Sequence, residues 1–353
     1  MGTQLYNSKK LLFFIYYSKT NKKKCIFATM KETVSLNIQI SEYRTSIMGV
    51  AILSIMLFHQ YFISMIPFNF FHKFGYWGVD IFLFLSGMGL VSSLKKNTKK
   101  DYYKRRFIRI IPSCLLCGTT KYIVFILLYS SLFILKDGLK IGIWSIASLD
   151  LWYIHTIIIL YIISPIIFKS LNKNKYLTIA IILFLFLLNG IFFKPIVDYD
   201  WLTPKGIISW TIERLPVFTL GMYLSIYNRI TNNYIYISSF SLFLAICLNL
   251  IEKTQYSFYG IRPCLLFLLT LGMPFLIVAC IYLLKNIPYS IQKLLSFLGK
   301  YSLELYLVHE FIFWALIICF KNWNPSLLLI IGFLLSFFSA YLCRICTSMI
   351  KHI

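Results

Sequence analysis

Charged residues are scarce in this sequence: only 13% of its 353 residues are charged, whereas 59% are hydrophobic. A soluble domain is typically about half apolar and about one quarter charged, so this composition excludes a soluble globular protein. The apolar residues come in uncharged runs of roughly 17 to 22, the length of helix that crosses the hydrocarbon core of a bilayer. The sequence therefore predicts an integral, multi-pass protein of the cell (inner or plasma) membrane.

Alternating segments of about ten residues, the pattern of a membrane β-barrel, are missing from the sequence. Because the bilayer core offers no water, each backbone polar group must be bonded within its span, and the spans are therefore helices. We predict an all-α, polytopic helical bundle with about ten transmembrane helices. The predicted spans cover roughly residues 46–67, 76–94, 118–136, 144–168, 176–193, 206–228, 233–251, 263–284, 299–319 and 326–345.

Acidic residues are especially few, with 12 Asp and Glu against 35 Lys and Arg, and the net charge is +23. Such a charge can attract nucleic acid, but the basic residues collect in alternate loops, as the positive-inside rule describes for cytoplasmic loops. The densest groups precede the first span and follow the second, between Lys95 and Arg109. We therefore predict no nucleic-acid partner, contact with the lipid bilayer, and both termini in the cytoplasm.

No stretch between or beyond the spans is long enough for a soluble domain. We predict a cytoplasmic basic N-terminal segment at 1–43, an integral membrane domain at 44–346 and a short cytoplasmic tail at 347–353. A small-residue cleavage site is missing after the short apolar stretch near the N-terminus, which argues against a signal peptide. Residues 1–29 are either an upstream extension of the reading frame or an interfacial anchor, and Met1 and Met30 both stay open as the start.

The nine cysteines lack the spacing of a metal site. Cys114 and Cys117 form one C-x-x-C and Cys343 and Cys346 another, but neither pair has a partner pair or a nearby His at zinc-ligand spacing. Free Cys is often simply a small buried apolar residue. We interpret all nine as structural and predict no metal.

Ionisable residues inside the predicted spans are few, and they are the most informative positions in the chain. They include His59, Asp80, His155, Glu213, Arg214, Glu304, His309 and Glu310. Such residues usually face the interior of the bundle and pair with one another, so each can be a purely structural ion pair or buried hydrogen bond. At about 1.5 Å per helical residue, His59, Asp80, His155 and His309 fall between the middle and the outer third of the membrane. This common depth favours a polar chamber within the bundle.

The residue types in that chamber point to proton transfer. A His side chain titrates near neutral pH and can take a proton from a hydroxyl, and a carboxylate can orient the ring and stabilise the cation that forms. His59 and Asp80 lie on adjacent antiparallel spans, which suits a general base and its orienting carboxylate if the two side chains face each other. Arg44, His155, Glu213, Arg214 and His309 are further candidates for the walls of the chamber.

A basic segment leads directly into the third span. It contains Lys104, Arg105, Arg106 and Arg109. The lysines are typical of a topogenic signal, but Arg105 and Arg109 are four residues apart and share one helical face. Guanidinium groups at a membrane surface suit multidentate binding of phosphate. The ligand is therefore either an anionic lipid headgroup or a phosphate-bearing donor from the cytosol.

Six segments, in this order, resemble the acyltransferase-3 family of polytopic membrane O-acyltransferases. They are IMGVAILSIMLFHQ, GYWGVDIFLFLSGMGL, YYKRRFIRIIPS, LWYIHTIIILYIISPII, RLPVFTLGMYL and FLGKYSLELYLVHEFIF. Each alone is a loose apolar pattern, but together they extend over nearly all of residues 44–316. The resemblance implies transfer of an acyl group, commonly acetyl, from cytosolic acyl-CoA to a hydroxyl of an extracytoplasmic glycan or lipid-linked saccharide. Acyl-CoA is then a donor substrate, and no bound cofactor is implied.

The resemblance also implies a role for the first-span His, which falls on His59. Two positions depart from the family pattern: Met48 stands where many members have an Arg, and Ile157 stands where many have a Glu. Arg44, one turn before Met48, and His155, two residues before Ile157, are the candidates to take these places. The departures also leave a catalytically inactive paralogue open.

Two other kinds of protein compete with an acyltransferase. A transporter or flippase of lipid-linked saccharides often shows internal repeats, and no convincing repeat is present. A glycan polymerase is expected to carry a large outer loop, and every predicted outer loop is short. The sequence leaves open the acceptor, the acyl group, the oligomeric state, and whether transfer is direct or passes through an acylated His59.

Overall fold

A computed structural model describes residues 36–60, 74–128, 151–193, 203–227, 232–252, 261–320 and 322–351 of the chain. All regular elements within these ranges are helical, as predicted. The α-helices are α1 Leu36–Phe58, α2 Trp77–Lys96, α3 Lys99–Leu128, α4 Trp152–Lys173, α5 Lys175–Leu188, α6 Pro204–Tyr227, α7 Asn232–Glu252, α8 Ile261–Asn286, α9 Tyr289–Lys300, α10 Ser302–Cys319 and α11 Pro325–Lys351. A π-helical turn, Asn189–Phe193, continues α5.

Seven of the described helices are long and apolar enough to cross a membrane: α1, α2, α4, α7, α8, α10 and α11. Three other predicted spans fall on α3, α5 and α6. Helix α3 begins with the basic segment, α5 is shorter, and α6 carries Glu213 and Arg214. The total of about ten spans and the cytoplasmic termini remain predictions. Residues 1–35, residues 194–202 of the predicted outer loop at 194–205, and residues 352–353 lie outside the described ranges.

The helices differ sharply in how much of their apolar surface is covered by protein. Of the 18 most apolar consecutive residues of α2, 72% are buried inside the bundle, compared with 33% in α7 and 28% in α11. The outer helices expose large apolar side chains, among them Phe243 on α7 and Phe338 on α11. A helix that exposes such residues without a protein partner is stable in lipid but not in water. The bundle is therefore a multi-pass membrane unit with α2 at its centre.

Two glycines let α2 and α6 meet backbone to backbone. A Cβ atom at Gly87 would overlap the carbonyl oxygen of Phe218, and one at Gly221 would overlap the carbonyl oxygen of Phe84. Small residues at such crossings allow the close packing that drives helix association in a bilayer. This contact holds α6 against α2, and it positions the ionisable residues of α6 next to Asp80.

Gly87→Ala is expected to destabilise the protein by about 1–3 kcal/mol, because the added methyl group overpacks a crossing between two backbones. The measurement is thermal unfolding of the purified protein in detergent. Ser92→Ala, an exposed change on the same helix, is the control and should leave the midpoint unchanged. A Gly87→Ala midpoint equal to that of the control would contradict the backbone contact.

Helix α9 is short and packs across α1. A Cβ atom at Gly299 would overlap the carbonyl oxygen of Thr45, and one at Gly49 would overlap the carbonyl oxygen of Leu295. The helix exposes apolar residues such as Tyr289 on its other side. The crossing fixes Lys300, the last residue of α9, beside the N-terminal half of α1.

Candidate active site

The end of α1 brings His59 into contact with a second histidine. The Nδ1 atom of His59 lies 3.0 Å from the carbonyl oxygen of Ile55, one turn earlier, and 3.2 Å from Nε2 of His309 on α10. His309 is fully buried, and its Nδ1 atom lies 2.9 Å from the carbonyl oxygen of Leu305 and 3.0 Å from that of Tyr306. Two of the predicted chamber residues therefore form one hydrogen-bonded pair.

The hydrogen bonds determine which nitrogen of each neutral ring carries the proton. Carbonyl oxygens only accept hydrogen bonds, so Nδ1 of His309 must be the donor and its Nε2 must be the acceptor. The Nδ1 atom of His59, which faces that acceptor, must then carry the hydrogen. This leaves the lone pair on Nε2 of His59, and that atom is free to accept a proton.

A carboxylate lies on the open side of His59. The Nε2 atom of His59 is 4.0 Å from Oε2 of Glu310, and the two side chains are 20% and 39% exposed. A protonated His59 would therefore gain an anion beside the nitrogen that had just accepted a proton. Within the described residues, Nε2 of His59 thus has the lone pair that a general base needs, and the carboxylate of Glu310 lies close enough to stabilise the protonated ring.

Asp80 lies in a different contact. Its Oδ1 atom is 3.1 Å from Nε of Arg214 on α6, and Arg214 is also 3.7 Å from Glu213. The guanidinium group lies over the Trp152 ring of α4, 5.4 Å from its centroid. The structure thus brings three of the predicted chamber residues together as a buried charge cluster. The ion pair of Asp80 is with Arg214 of α6, and its role in orienting His59 stays a prediction.

A basic vestibule with a volume of about 790 Å³ opens where α3 begins and α9 ends. Four helices contribute its cationic side chains: Arg44, Lys104, Arg105, Arg109, Lys300 and Arg344. Its acidic residues are Asp101 and Glu304, and Glu304 lies 3.7 Å from Arg344. The excess of guanidinium and ammonium groups makes this vestibule attractive to a phosphorylated ligand.

A second, narrower cavity of about 60 Å³ adjoins the vestibule. Arg44, Met48 and Arg109 line both spaces, and Arg106 lines only the inner one. Tyr306 also lines the inner cavity, and its ring centroid is 5.8 Å from that of His309. Tyr306 therefore lies between the inner cavity and the histidine pair, and neither histidine lines the cavity itself. All four predicted basic residues line one or both spaces.

The two departures from the family pattern line these spaces. Met48 lines both spaces, and Arg44 lines them beside it, with its guanidinium group against Gly89 of α2. A cation therefore lines the same two spaces as Met48, and the replacement of the family's Arg by Arg44 stays a prediction. Ile157 lines the inner cavity, whereas His155 is buried near the start of α4 and is not among the residues of that lining.

Three residues near this site were missed or undervalued by the sequence analysis. Lys121 on α3 is buried and acts electrostatically on His309. Glu310 was noted only as an ionisable residue of its span, and Arg344 was not singled out. All three carry the same signal in the sequence, a charge inside a predicted span.

The cysteines and the acidic residues add no metal site to this picture within the described part of the chain. Eight cysteines there form no disulfide, and no three His, Cys, Asp or Glu side chains are grouped as metal ligands. Cys117 and Cys343 lie 2.8 Å apart and connect α3 to α11 in the buried core.

Comparison with known proteins gives one family. A family model described as an acyltransferase domain matches residues 47–345, most of the chain. The matched range includes α2 to α10, about the second half of α1 and most of α11. No match to this chain is found among curated proteins or among solved structures.

Proposed function

Because the chain belongs to the acyltransferase-3 family and is an integral, multi-pass membrane acyltransferase, we propose that it moves an acyl group, commonly acetyl, from acyl-CoA to a hydroxyl group. The acceptor is a glycan or lipid-linked saccharide on the far side of the membrane, as the family resemblance implies. The observation that carries the proposal is an arginine-rich vestibule that shares its lining with a narrow cavity, which Tyr306 separates from the His59–His309 pair.

The shape and charge of the two spaces support acyl-CoA as the donor. The molecule has a bulky phosphorylated nucleotide and a slender arm that ends in the thioester. The wide vestibule with its cationic lining suits the nucleotide, and the inner cavity gives the direction in which the arm would extend from it. Arg109 lines both spaces, so it is in reach of the phosphates nearest to the arm. The donor side is the side that we predict to be cytoplasmic.

In the proposed reaction, Nε2 of His59 takes the proton of the acceptor hydroxyl while the hydroxyl oxygen bonds to the thioester carbon. The bond from that carbon to sulfur then breaks, and the departing thiolate receives the proton from the imidazolium ring. The hydrogen bond that Nδ1 of His59 donates to His309 keeps the lone pair of the His59 ring on Nε2. Glu310 stabilises the imidazolium ion of His59 between the two proton transfers. The products are the acylated acceptor and free CoA.

Consumption of thioester by membranes that contain the protein tests this function. Acyl-CoA should be converted to free CoA in an acceptor-dependent reaction, and membranes from cells without the gene should lack that reaction. A transporter, a flippase or a glycan polymerase would leave acyl-CoA untouched. An intact thioester in membranes that contain both the folded protein and the native acceptor would overturn the proposal.

Arg109→Lys is expected to raise the apparent KM for acyl-CoA roughly ten-fold, since lysine keeps the charge but loses the two-pronged hydrogen bond to phosphate. Arg109→Ala should raise it further, and kcat should change less than KM in both variants. Lys95→Ala removes an exposed cation outside the vestibule and serves as the control. An unchanged KM in Arg109→Ala would mean that the basic segment of α3 determines only the membrane topology and does not bind acyl-CoA.

A further inference from the structure

A third cleft, separate from the vestibule, lies where α2 and α4 end and α3 begins. Its volume is about 620 Å³. Its lining consists of Leu94, Asn97, Lys99, Tyr102, Pro165, Ile166, Phe168, Lys169, Ser170 and Lys173. One side of the cleft is thus apolar and the other carries three lysines. Lys99 and Tyr102 of α3 line this cleft, whereas Lys104, Arg105 and Arg109 of the same helix line the vestibule.

The three lysines of this cleft have no anion to pair with among the described residues. None of Lys99, Lys169 and Lys173 has a hydrogen bond or ion pair with a described residue, and all three are exposed. Asp101, the nearest carboxylate in sequence to Lys99, accepts a hydrogen bond from Thr98 and lines the vestibule instead. The cleft therefore holds three positive charges without a compensating charge.

The other polar groups of the cleft are already occupied. The Tyr102 hydroxyl donates to the carbonyl oxygen of Tyr161 at 3.2 Å, and the Asn97 amide donates to that of Ser93 at 2.9 Å. Burial raises the pKa of Tyr102 to about 12, so the phenol stays neutral and adds no negative charge. The three lysines are thus the groups that remain to bind a ligand, and their positive charge favours an anion.

The apolar side of the cleft restricts what kind of anion fits. Ile166, with 70% of its surface exposed, and Pro165 and Phe168 face the same space as the lysines. A ligand that combines a phosphate with hydrocarbon satisfies both sides, and a membrane surface supplies one at high concentration. We propose that this cleft binds an anionic phospholipid, whose headgroup phosphate contacts the three lysines and whose acyl chain lies along Ile166.

The bound lipid has a structural consequence for the start of α3. Helix α3 is attached to α4 on this side through Tyr102 and through Tyr103, whose hydroxyl donates to the carbonyl oxygen of Ile162 at 3.0 Å. A headgroup held between Lys99 on α3 and the two lysines of α4 adds a third link between the helices. Arg105 and Arg109, which line the vestibule, follow Lys99 within the next three turns of α3.

Native mass spectrometry of the full-length protein, released from detergent with added dioctanoyl phosphatidylglycerol, tests the site. The parent should retain one phosphatidylglycerol more tightly than phosphatidylcholine. The triple variant Lys99→Gln, Lys169→Gln, Lys173→Gln should bind it roughly 100-fold more weakly, since each lysine near an anionic lipid contributes roughly a five-fold gain. All three residues are exposed, so the variant should elute as the parent does in size-exclusion chromatography.

The matched control carries the same change of charge outside the cleft: Lys95→Gln, Lys96→Gln, Lys100→Gln. It should retain the lipid as the parent does. An equal loss in both triple variants would mean general attraction to a basic surface and would overturn the site. If inorganic phosphate displaced the lipid at a similar concentration, the acyl chain would contribute nothing to binding. The ligand of the cleft would then be a soluble anion, and the proposal of a phospholipid would be wrong.

Discussion

Replacing His59 with asparagine is expected to lower the rate of acyl transfer roughly 10²–10⁴-fold, the usual effect of losing a general base. The side-chain amide of asparagine occupies the place of Nδ1 and can still donate to His309, but it has no counterpart of Nε2. The variant therefore removes the proton acceptor while it keeps the contact with α10. Thioester consumption at saturating acyl-CoA measures the effect.

Two controls separate chemistry from folding in this experiment. The thermal unfolding midpoint of His59→Asn should equal that of the parent, because the hydrogen bond to His309 is kept. His309→Gln should reduce activity less than His59→Asn does. The base, His59, is still present in this variant, and only the ring nitrogen of His309 that fixes the tautomer of His59 is lost. Parental activity in His59→Asn would mean that the histidine serves only the packing of α1 against α10.

Arg214→Ala is expected to destabilise the protein by about 3–5 kcal/mol, the usual cost of breaking a buried ion pair. The change leaves two carboxylates, those of Asp80 and Glu213, buried at the α2–α6 crossing without their cation. It also removes the group that lies over Trp152. Thermal unfolding in detergent, with the yield of correctly inserted protein, measures the loss.

Lys205→Ala, which removes an exposed cation from the same helix, is the matched control and should unfold at the parental temperature. Asp80→Asn then tests what Asp80 does. If its main partner is Arg214, the variant should lose stability while kcat of the folded fraction falls far less than in His59→Asn. A parental midpoint combined with a loss of kcat as large as that of His59→Asn would support the orienting role instead.

The sequence predicted the kind of fold because a bilayer restricts the choice. Uncharged runs of the right length can only be helices there, and His59 stood out because an imidazole in hydrocarbon is costly unless it has a use. The basic residues of α3 were also predictable, since arginines four apart share a face. These inferences depend on one segment at a time, which is the information that a single sequence contains.

The pairing of side chains between helices was not predictable in this way. His59 and His309 are 250 residues apart, and the rotation of each helix about its axis decides which neighbour it faces. On α2, the close contact of Gly87 with α6 fixes that rotation and places Asp80 beside Arg214. An apolar pattern that continues around the whole helix, as in α2, does not mark the side that faces α1 or α6.

Mass spectrometry of cell-surface glycans tests the central claim most directly, because it detects the product without knowledge of the acceptor. Glycans from cells without the gene should lack one acyl group that glycans from parental cells carry. The parental gene should restore that group, and the gene for His59→Asn should not, at equal protein abundance in the membrane. Glycans that are identical with and without the gene, or full restoration by His59→Asn, would contradict acyl transfer through His59.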